Sequence, residues 1–259
     1  MENSLVLYQV NHRIAEITIN RPEKRNALNP ALVAELTAAF LKAQDDDTAK
    51  IVVLKANGDV FSAGADLAYM QQLQNFTYEE NIQDSGALKD LFETIRTLKK
   101  VVIAQVEGHA IAGGCGLATI CDIVFAVPEA KFGYTEVKLG FVPAIVSCYL
   151  VQRVGETLAK KLLLSGDLFT AEQALNYNLI TYVTKPEEIV QTVSDFALNL
   201  STSASGNSLM LTKQLINQTS NAWLDSCLDN AIKVNAKTRE SDDFRKGIAS
   251  FLAKEKINW

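Results

Sequence analysis

The stretch Val101-Val-Ile-Ala-Gln-Val106-Glu-Gly108-His-Ala-Ile-Ala-Gly113-Gly-Cys-Gly116 places four glycines directly after a run of mainly apolar residues. The run Val101–Val106 predicts a buried strand, and the apolar residues Leu117–Cys121 follow the glycines. The glycines therefore lie where a strand passes towards a helix. A helix N-terminus presents free N–H groups and the positive end of its dipole, which favour an oxygen that gains negative charge. An enolate oxygen is such an atom.

A second glycine-bearing segment, Phe61-Ser-Ala-Gly-Ala65-Asp66-Leu67, has the same setting between a strand pattern and a helix pattern. A tight turn that packs a helix on a sheet explains one such cluster, whereas two clusters together favour a site. Neither segment has the GxGxxG spacing, and the GxxxxGK[ST] motif is absent from the chain. Nucleotide phosphates are therefore not the expected ligand of these loops.

The remaining patterns predict an α/β fold with largely parallel strands. Residues 5–10 and 16–20 read as paired strands, Asn29 caps a helix that starts at Pro30, and residues 51–54 read as a buried strand. From Ala144 onward the pattern is helical, with helices expected at residues 144–153, 158–165, 171–176, 187–200, 208–218 and 222–237. We expect a core of residues 1–195 and a helical lid or oligomerisation region of residues 196–259, with the boundary placed only loosely within residues 185–205.

Composition narrows the classes of function. The chain has 259 residues, 48% of them apolar and 21% charged, with a net charge of -5 and no basic cluster, so disorder and nucleic-acid binding are not expected. No apolar stretch reaches the roughly 20 residues of a membrane span, and we expect a cytoplasmic location. His12 and His109 are the only histidines and have no ligand spacing, so no metal site is expected. The four cysteines are expected to be buried free thiols.

Five segments together resemble the crotonase (enoyl-CoA hydratase/isomerase) superfamily: Asn20–Leu28, Phe61–Leu67, Gly108–Gly116, Cys121–Ile123 and Phe132–Glu136. The resemblance spans roughly the whole chain and keeps the order and spacing of the family. It implies a ClpP/crotonase-like fold of repeated ββα turns with a helical C-terminal region, and assembly as homotrimers, commonly paired into homohexamers. It also implies an acyl-CoA substrate and no cofactor, because coenzyme A is part of the substrate.

The resemblance implies a site built on three residues. The backbone N–H groups of Ala65 and Gly113 would form an oxyanion hole for the thioester carbonyl, and Glu136 would transfer a proton at the adjacent carbon. Further substrate contacts are expected at Ala63, Gly64, Asp66, Leu67, Met70, Gly114, Pro143 and Ala144. Phosphate contacts are expected at Lys24 and Arg25, with Arg21, Lys254 and Lys256 as further candidates. Tyr69 is expected to line the pocket or to pack, and His109 to be a packed loop residue.

One position departs from the family pattern, because Gly116 stands where typical hydratases carry a second catalytic glutamate. Glu136 would then act alone, a substrate carboxylate would assist, or another residue would replace the lost partner. The segment Gly140–Ser147 looks more like bacterial hydratases of branched, carboxylated substrates such as methylglutaconyl-CoA, which would connect the chain to leucine degradation. Lys138 or Arg96 would then face the distal carboxylate.

The favoured hypothesis is a lyase that adds water to a 2-enoyl-CoA, or removes it, through an enolate held by Ala65 and Gly113. One alternative is a Δ3-Δ2 enoyl-CoA isomerase that works with Glu136 as its single carboxylate. The other is a non-catalytic member that binds acyl-CoA.

Overall fold

The computed structural model describes residues 4–257 and residue 259, and within them strands alternate with helices up to Val183, after which the chain is helical. The strands are β1 (Val6–Asn11), β2 (Ile14–Ile19), β3 (Ile51–Ala56), β4 (Val60–Ser62), β5 (Val101–Val106), β6 (His109–Ile111), β7 (Ile123–Ala126), β8 (Lys131–Gly133), β9 (Phe169–Thr170) and β10 (Tyr182–Val183). The helices are α1 (Pro30–Asp45), α2 (Leu67–Leu73), α3 (Tyr78–Thr97), α4 (Gly113–Thr119), α5 (Ala144–Ser165), α6 (Ala171–Asn176), α7 (Ile189–Ser203), α8 (Gly206–Gln218), α9 (Asn221–Arg239) and α10 (Asp242–Ala253), with 3-10 turns at Pro22–Lys24 and Glu136–Leu139.

The strands form two sheets. The larger has the order β1-β2-β3-β5-β7-β10, in which only β1 is antiparallel to its neighbour, and the smaller has the order β4-β6-β8-β9. Each long strand β3, β5 and β7 is followed by a short strand of the smaller sheet and then by a helix or 3-10 turn. This is the repeated ββα unit, and the predicted α/β fold is confirmed. β5 is buried along its whole length, as its apolar sequence predicts for a central parallel strand.

The smaller sheet positions the site. β4, β6 and β8 run parallel, with Ser62 opposite Ala110 and Ile111 opposite Gly133. Because the carboxyl ends of parallel strands meet at one edge of a sheet, the segments that follow these strands lie close together. Those segments contain Ala65, Gly113 and Glu136. The order of short strands thus brings together three residues that are far apart in the chain.

The C-terminal region consists of α7, α8, α9 and α10, and its division from the core stays a prediction. The expected division after residue 195 falls inside α7, whose buried Val193 and Ala197 belong to the same core as the sheet, so α7 packs with the preceding units. The helix α10 was not predicted. Its buried Phe244 and Ile248 pack with Met70, and it contacts both α2 and the 3-10 turn that begins at Glu136. No helix of residues 4–257 and 259 is long and apolar enough to cross a membrane.

The cysteine prediction was half wrong. Cys115 and Cys121 are free and buried, as expected, but Cys148 and Cys227 form a disulfide with their Cα atoms 6.0 Å apart. These residues are 79 positions apart and meet because α5 packs against α9, a contact that no local pattern reveals. The two helices predicted at 144–153 and 158–165 are confirmed as the two parts of α5, which are separated by non-helical backbone at Gly155, where φ is 76° and ψ is 163°.

Candidate active site

The backbone N–H group of Ala65 points away from Leu28, the residue that pairs with the loop around Ala65. Leu28 donates its N–H to Gly64 O at 2.7 Å, and Asp66 donates its N–H to Leu28 O at 2.8 Å. Backbone N–H directions alternate along such a parallel bridge, so the N–H of Ala65 points to the opposite side. Among the hydrogen bonds of the described residues, none uses this N–H as a donor. It is therefore free to donate to a ligand.

Gly113 supplies a second free donor. It is the first residue of α4, so its N–H has no acceptor four residues earlier. Ala112 has a φ of 52° and a ψ of -126°, a strained conformation for a residue with a Cβ, and its N–H donates to Gly133 O at 2.7 Å. At Gly64, where φ is 86°, a Cβ would lie 2.9 Å from Ile111 O and 3.7 Å from Gly113 N. The two donor loops are thus in direct contact, and glycine is required there.

Glu136 is the third residue of the predicted site. It begins the 3-10 turn after β8, its residue is 8% exposed, and its Oε2 has no hydrogen-bond partner among the described residues. Burial raises the pKa of its carboxyl to about 7, because the ionised form loses hydration and a hydrogen bond from its own backbone N–H offsets only part of that loss. A carboxyl with this pKa can both accept and donate a proton near neutral pH.

One large cavity, of about 1590 Å³, joins these groups. Ala65, Gly113 and Glu136 all lie on its wall, which α1, α2, α3, α9 and α10 complete. Ligand pockets for drug-sized molecules usually measure about 300–1,000 Å³, so this cavity can hold a larger ligand. Most of the other residues predicted to contact substrate also line it, namely Lys24, Arg25, Ala63, Asp66, Leu67, Met70, Pro143 and Ala144.

Three predicted glycines lie behind the cavity wall rather than on it: Gly64, Gly114 and Gly116. Gly114 lets α4 approach β4, since a Cβ there would lie 2.6 Å from Ser62 O. At Gly64 the close backbone atom is Ile111 O, so both glycines act by allowing backbone segments to approach each other.

The surroundings of Gly116 are apolar. A Cβ at this position would clash with Val146 Cγ1 and would lie 2.9 Å from Phe92 Cε2. We call Val146 and Phe92 the Gly116 wall. It fills the space that a second glutamate side chain would need.

Three basic residues that were predicted to contact substrate form ion pairs with acidic side chains of the protein. Arg21 pairs with Asp66 at 2.6 Å, and the Asp66 carboxylate also accepts the N–H of Ala68 as the N-cap of α2. Arg96 lies outside the cavity and pairs with Glu93, so its predicted role as the partner of a substrate carboxylate is wrong. Lys138 lines the cavity but pairs with Asp167 at 2.9 Å.

Four further residues named in the sequence analysis differ in where they lie relative to the cavity. Lys254 and Lys256 do not line the cavity, although their neighbour Glu255 does. His109 begins β6 rather than lying in a loop, and it packs against the start of β8, where its Nδ1 accepts the Lys131 N–H at 3.2 Å. Tyr69 lines the cavity.

Sequence reasoning missed Asn26 and a polar group at the α3–α9 contact. Asn26 is buried, and its side chain accepts from Arg21 N and donates to the carbonyls of Asn57 and Val60, which fixes the loop before Ala65. Its place inside the segment Asn20–Leu28 was the available signal. The polar group contains Asp84 and Arg239, and no local signal connects two residues so far apart in the chain.

Residues 9–259 match the family model described as Enoyl-CoA hydratase/isomerase. The chain belongs to this family. A candidate enoyl-CoA hydratase of Thermus thermophilus is 39% identical over 93% of this chain and 95% of its own length. The crotonyl-CoA hydratase of Syntrophomonas wolfei is 32% identical over 98% of this chain and 97% of its own. The crystal structure of an enoyl-CoA hydratase from Mycobacterium avium superposes with a TM-score of 0.88 at 30% identity, covering 99% of both chains.

Membership of the enoyl-CoA hydratase/isomerase family confirms the resemblance seen in the sequence. The chain is an enzyme of this family with an acyl-CoA substrate. Its two adjacent free N–H groups and its unpaired glutamate form one site, in a cavity large enough for a thioester with a long carrier.

Proposed function

We propose that this enzyme adds water to the double bond of a 2-enoyl-CoA and catalyses the reverse reaction, with Glu136 as its only catalytic carboxyl. The observation that carries the proposal is the unpartnered Glu136 carboxyl in the same cavity as the free N–H groups of Ala65 and Gly113. No cofactor is required, because the thioester itself accepts the electrons that move during addition.

In the forward direction the ionised Glu136 takes a proton from water as the oxygen of that water bonds to C3. The electrons of the C2–C3 double bond move towards the thioester, whose oxygen becomes an enolate oxygen. The N–H groups of Ala65 and Gly113 donate to that oxygen, and each such donor contributes about 3–4 kcal/mol to the transition state. Glu136 then returns its proton to C2, which restores the thioester and the ionised carboxylate.

The Gly116 wall favours a second candidate, a Δ3-Δ2 enoyl-CoA isomerase. An isomerase needs no positioned water, and the apolar Val146 and Phe92 offer none of the polar groups that would hold one. Glu136 would remove a proton from C2 of a 3-enoyl-CoA and return it at C4, through the same enolate. Both candidates share the polarised carbonyl and differ in where the second bond is made.

Two substrates distinguish these candidates. Purified wild-type enzyme is given crotonyl-CoA and 3-hexenoyl-CoA, and the products are identified by mass spectrometry and chromatography. The proposal expects 3-hydroxybutyryl-CoA to form faster than 2-hexenoyl-CoA. Faster conversion of the 3-enoyl substrate would show that the enzyme is an isomerase rather than a hydratase. If Glu136→Gln hydrated crotonyl-CoA at the wild-type rate, neither mechanism would stand.

For the acyl group, the sequence resemblance favours 3-methylglutaconyl-CoA and a role in leucine degradation. The two cations expected to bind its carboxylate do not support this choice, because Arg96 pairs with Glu93 and Lys138 with Asp167. We therefore propose the wider class of 2-enoyl-CoA thioesters as substrates. Comparing kcat/KM for crotonyl-CoA and 3-methylglutaconyl-CoA tests the narrower choice.

We further propose that the enzyme forms homotrimers that pair into homohexamers, with the C-terminal region as part of the contact. Large apolar side chains on α8 and α9 support this, since Leu215, Ile216 and Trp223 are each at least half exposed. Analytical ultracentrifugation of the purified chain tests it, and a monomer at micromolar concentration would contradict it. A cytoplasmic location remains a prediction, which cell fractionation would check.

A further inference from the structure

The cavity has a polar end where α3 packs against α9. The residues that form it are Asp84, Asn235, Arg239 and Tyr69, and all four line the cavity. The family chemistry described above uses none of them. We call them the polar end.

Asp84 is the acceptor of the polar end. Its Oδ1 accepts the Tyr69 hydroxyl at 2.5 Å, and its Oδ2 pairs with Arg239 NH2 at 2.7 Å. Arg239 also donates from NH1 to Asn81 Oδ1 at 2.9 Å, which fixes the guanidinium. The charge of Asp84 is thus balanced. Each carboxylate oxygen has two lone pairs, and the side chain of Asp84 is 19% exposed, so it can accept one further donor.

Asn235 is the donor of the polar end. The residue is 5% exposed, and its Oδ1 accepts the Ser85 hydroxyl at 2.8 Å. Among the hydrogen bonds of the described residues none uses its Nδ2, and this atom is not among the fully enclosed polar atoms without a partner. An amide N–H of a buried asparagine therefore remains available at the cavity wall. Asn235 lies one helical turn before Arg239 on α9, and their partners Ser85 and Asp84 are adjacent on α3, so both polar groups belong to the same helix contact.

We propose that the polar end binds a neutral hydrogen-bonding group on the distal part of the acyl chain, with a hydroxyl as the best match. The hydroxyl oxygen accepts from Asn235 Nδ2, and its hydrogen is donated to Asp84. This inference rests on the proposed function, because it assigns the acyl part of the substrate. The substrate class is a 2-enoyl-CoA whose chain carries a hydroxyl, or another uncharged oxygen, away from the thioester.

Charge and hydration argue against the two other kinds of tail. A carboxylate would be a second anion beside Asp84, whose charge Arg239 already balances, and Glu80 on the same helix lines the cavity as well. Burial of an uncompensated charge is strongly unfavourable. An alkyl tail would cover the Asn235 N–H and the Asp84 carboxylate without replacing their hydrogen bonds to water, which is unfavourable too.

The test compares three series of 2-enoyl-CoA thioesters with equal numbers of heavy atoms and tails that end in methyl, hydroxyl or carboxylate. At the chain length that reaches the polar end, kcat/KM for the hydroxyl tail should exceed that for the methyl tail by about tenfold or more. The carboxylate tail should rank below the hydroxyl tail. A methyl or carboxylate tail that ranks first at every length would overturn the proposal.

Two variants show whether Asn235 causes the preference. Asn235→Leu should remove the advantage of the hydroxyl tail, whereas Gly86→Ala on α3 should keep it, because nothing lies within 4 Å of the added Cβ and Gly86 does not line the cavity. Thermal unfolding verifies that both variants are folded. A preference that persists in Asn235→Leu would contradict the assignment.

Dissociation constants of the saturated thioesters give the same ranking without turnover. If no enoyl thioester is hydrated while the hydroxyl tail still binds most tightly, the proposed function fails and the polar end stands. If crotonyl-CoA is hydrated but the tails bind equally, the polar end fails and the proposed function stands.

Discussion

Glu136 and Glu93 are both at least partly buried, but the hydrogen-bond partners of their carboxyl groups differ. Glu93 follows Phe92 of the Gly116 wall, and its two oxygens accept from Arg96 Nε and NH2, each at 2.8 Å, with the Tyr149 hydroxyl at 2.7 Å. Glu136 is buried, and its Oε2 has no partner among the described residues. Arg96 and Tyr149 thus hold the Glu93 carboxyl, whereas no side chain among the described residues binds Oε2 of Glu136.

The difference decides what each carboxyl can do. Burial raises the pKa of Glu93, but the hydrogen bonds from Arg96 and Tyr149 and the charge of Arg96 outweigh it, so the pKa lies below its usual range. At Glu136 burial outweighs a hydrogen bond from the residue's own backbone N–H and raises the pKa to about 7. Glu93 remains ionised and stabilises the contact between α3 and α5. Glu136 can change its protonation state during a reaction at neutral pH.

Glutamine at each position gives the largest expected contrast. Glu136→Gln should lower kcat for crotonyl-CoA by about 10²–10⁴-fold, because the amide cannot carry the proton. Glu93→Gln should remain within a few-fold of wild type, since Glu93 does not line the cavity. Steady-state kinetics with both variants measures this. Equal losses in the two variants would remove the distinction between the carboxyls.

The donor at Ala65 should give the next largest effect. Ala65→Pro removes the N–H and should lower kcat by about 10²–10³-fold. Ala65→Gly keeps the N–H and serves as the control, with a loss of less than about tenfold. Binding of a saturated acyl-CoA to Ala65→Pro shows whether the cavity is intact. Unchanged turnover in the proline variant would mean that Ala65 is not a donor in the reaction.

Stability should depend on pH with opposite signs at the two glutamates. The folded state holds the Glu136 proton up to about pH 7, while an unfolded glutamate loses its proton near 4.5. Between these values the folded state binds more protons, so its stability falls as pH rises. The resulting loss from pH 4 to pH 8 is about 3 kcal/mol, and Glu136→Gln should lack it.

Glu93 should behave in the reverse way, because its pKa is lowered in the folded state. Its contribution is present above the unfolded pKa and is lost as pH falls through the folded pKa. Urea unfolding of wild type and both glutamine variants measures the two dependences, over a pH range that extends from 8 to well below 4.5, where the Glu93 contribution is lost. Parallel curves for wild type and Glu136→Gln would show that Glu136 has an ordinary pKa.

The Gly116 wall should produce the smallest of these effects. Gly116→Ala places a Cβ against Val146 and Phe92 and should destabilise the protein by about 1–3 kcal/mol. Gly86→Ala on α3 is the matched control, because nothing lies within 4 Å of its added Cβ, and it should be stabilising by about 0.5–1 kcal/mol. Thermal denaturation compares them. Equal stability of both variants would mean that the wall yields readily.

Local sequence signals predicted much of the fold and the main site. The strand β5 and the helix α6, with its Thr170–Gln173 capping box, have the predicted bounds, since apolar runs and caps act within a few residues. Ala65, Gly113 and Glu136 were found because they lie in segments with a family pattern. The disulfide of Cys148 with Cys227 and the pairing of Asp84 with Arg239 depend on how distant helices pack, which no local pattern encodes.

The proposed role of Glu136 requires its raised pKa, and carbon-13 NMR of protein labelled at the glutamate δ-carbons measures this pKa directly. We predict one δ-carbon resonance that titrates near pH 7 in wild type and is absent from Glu136→Gln, while Glu93 titrates below the usual range of a glutamate. If every glutamate titrates below about pH 5, or if the resonance near pH 7 remains in Glu136→Gln, Glu136 does not have a raised pKa.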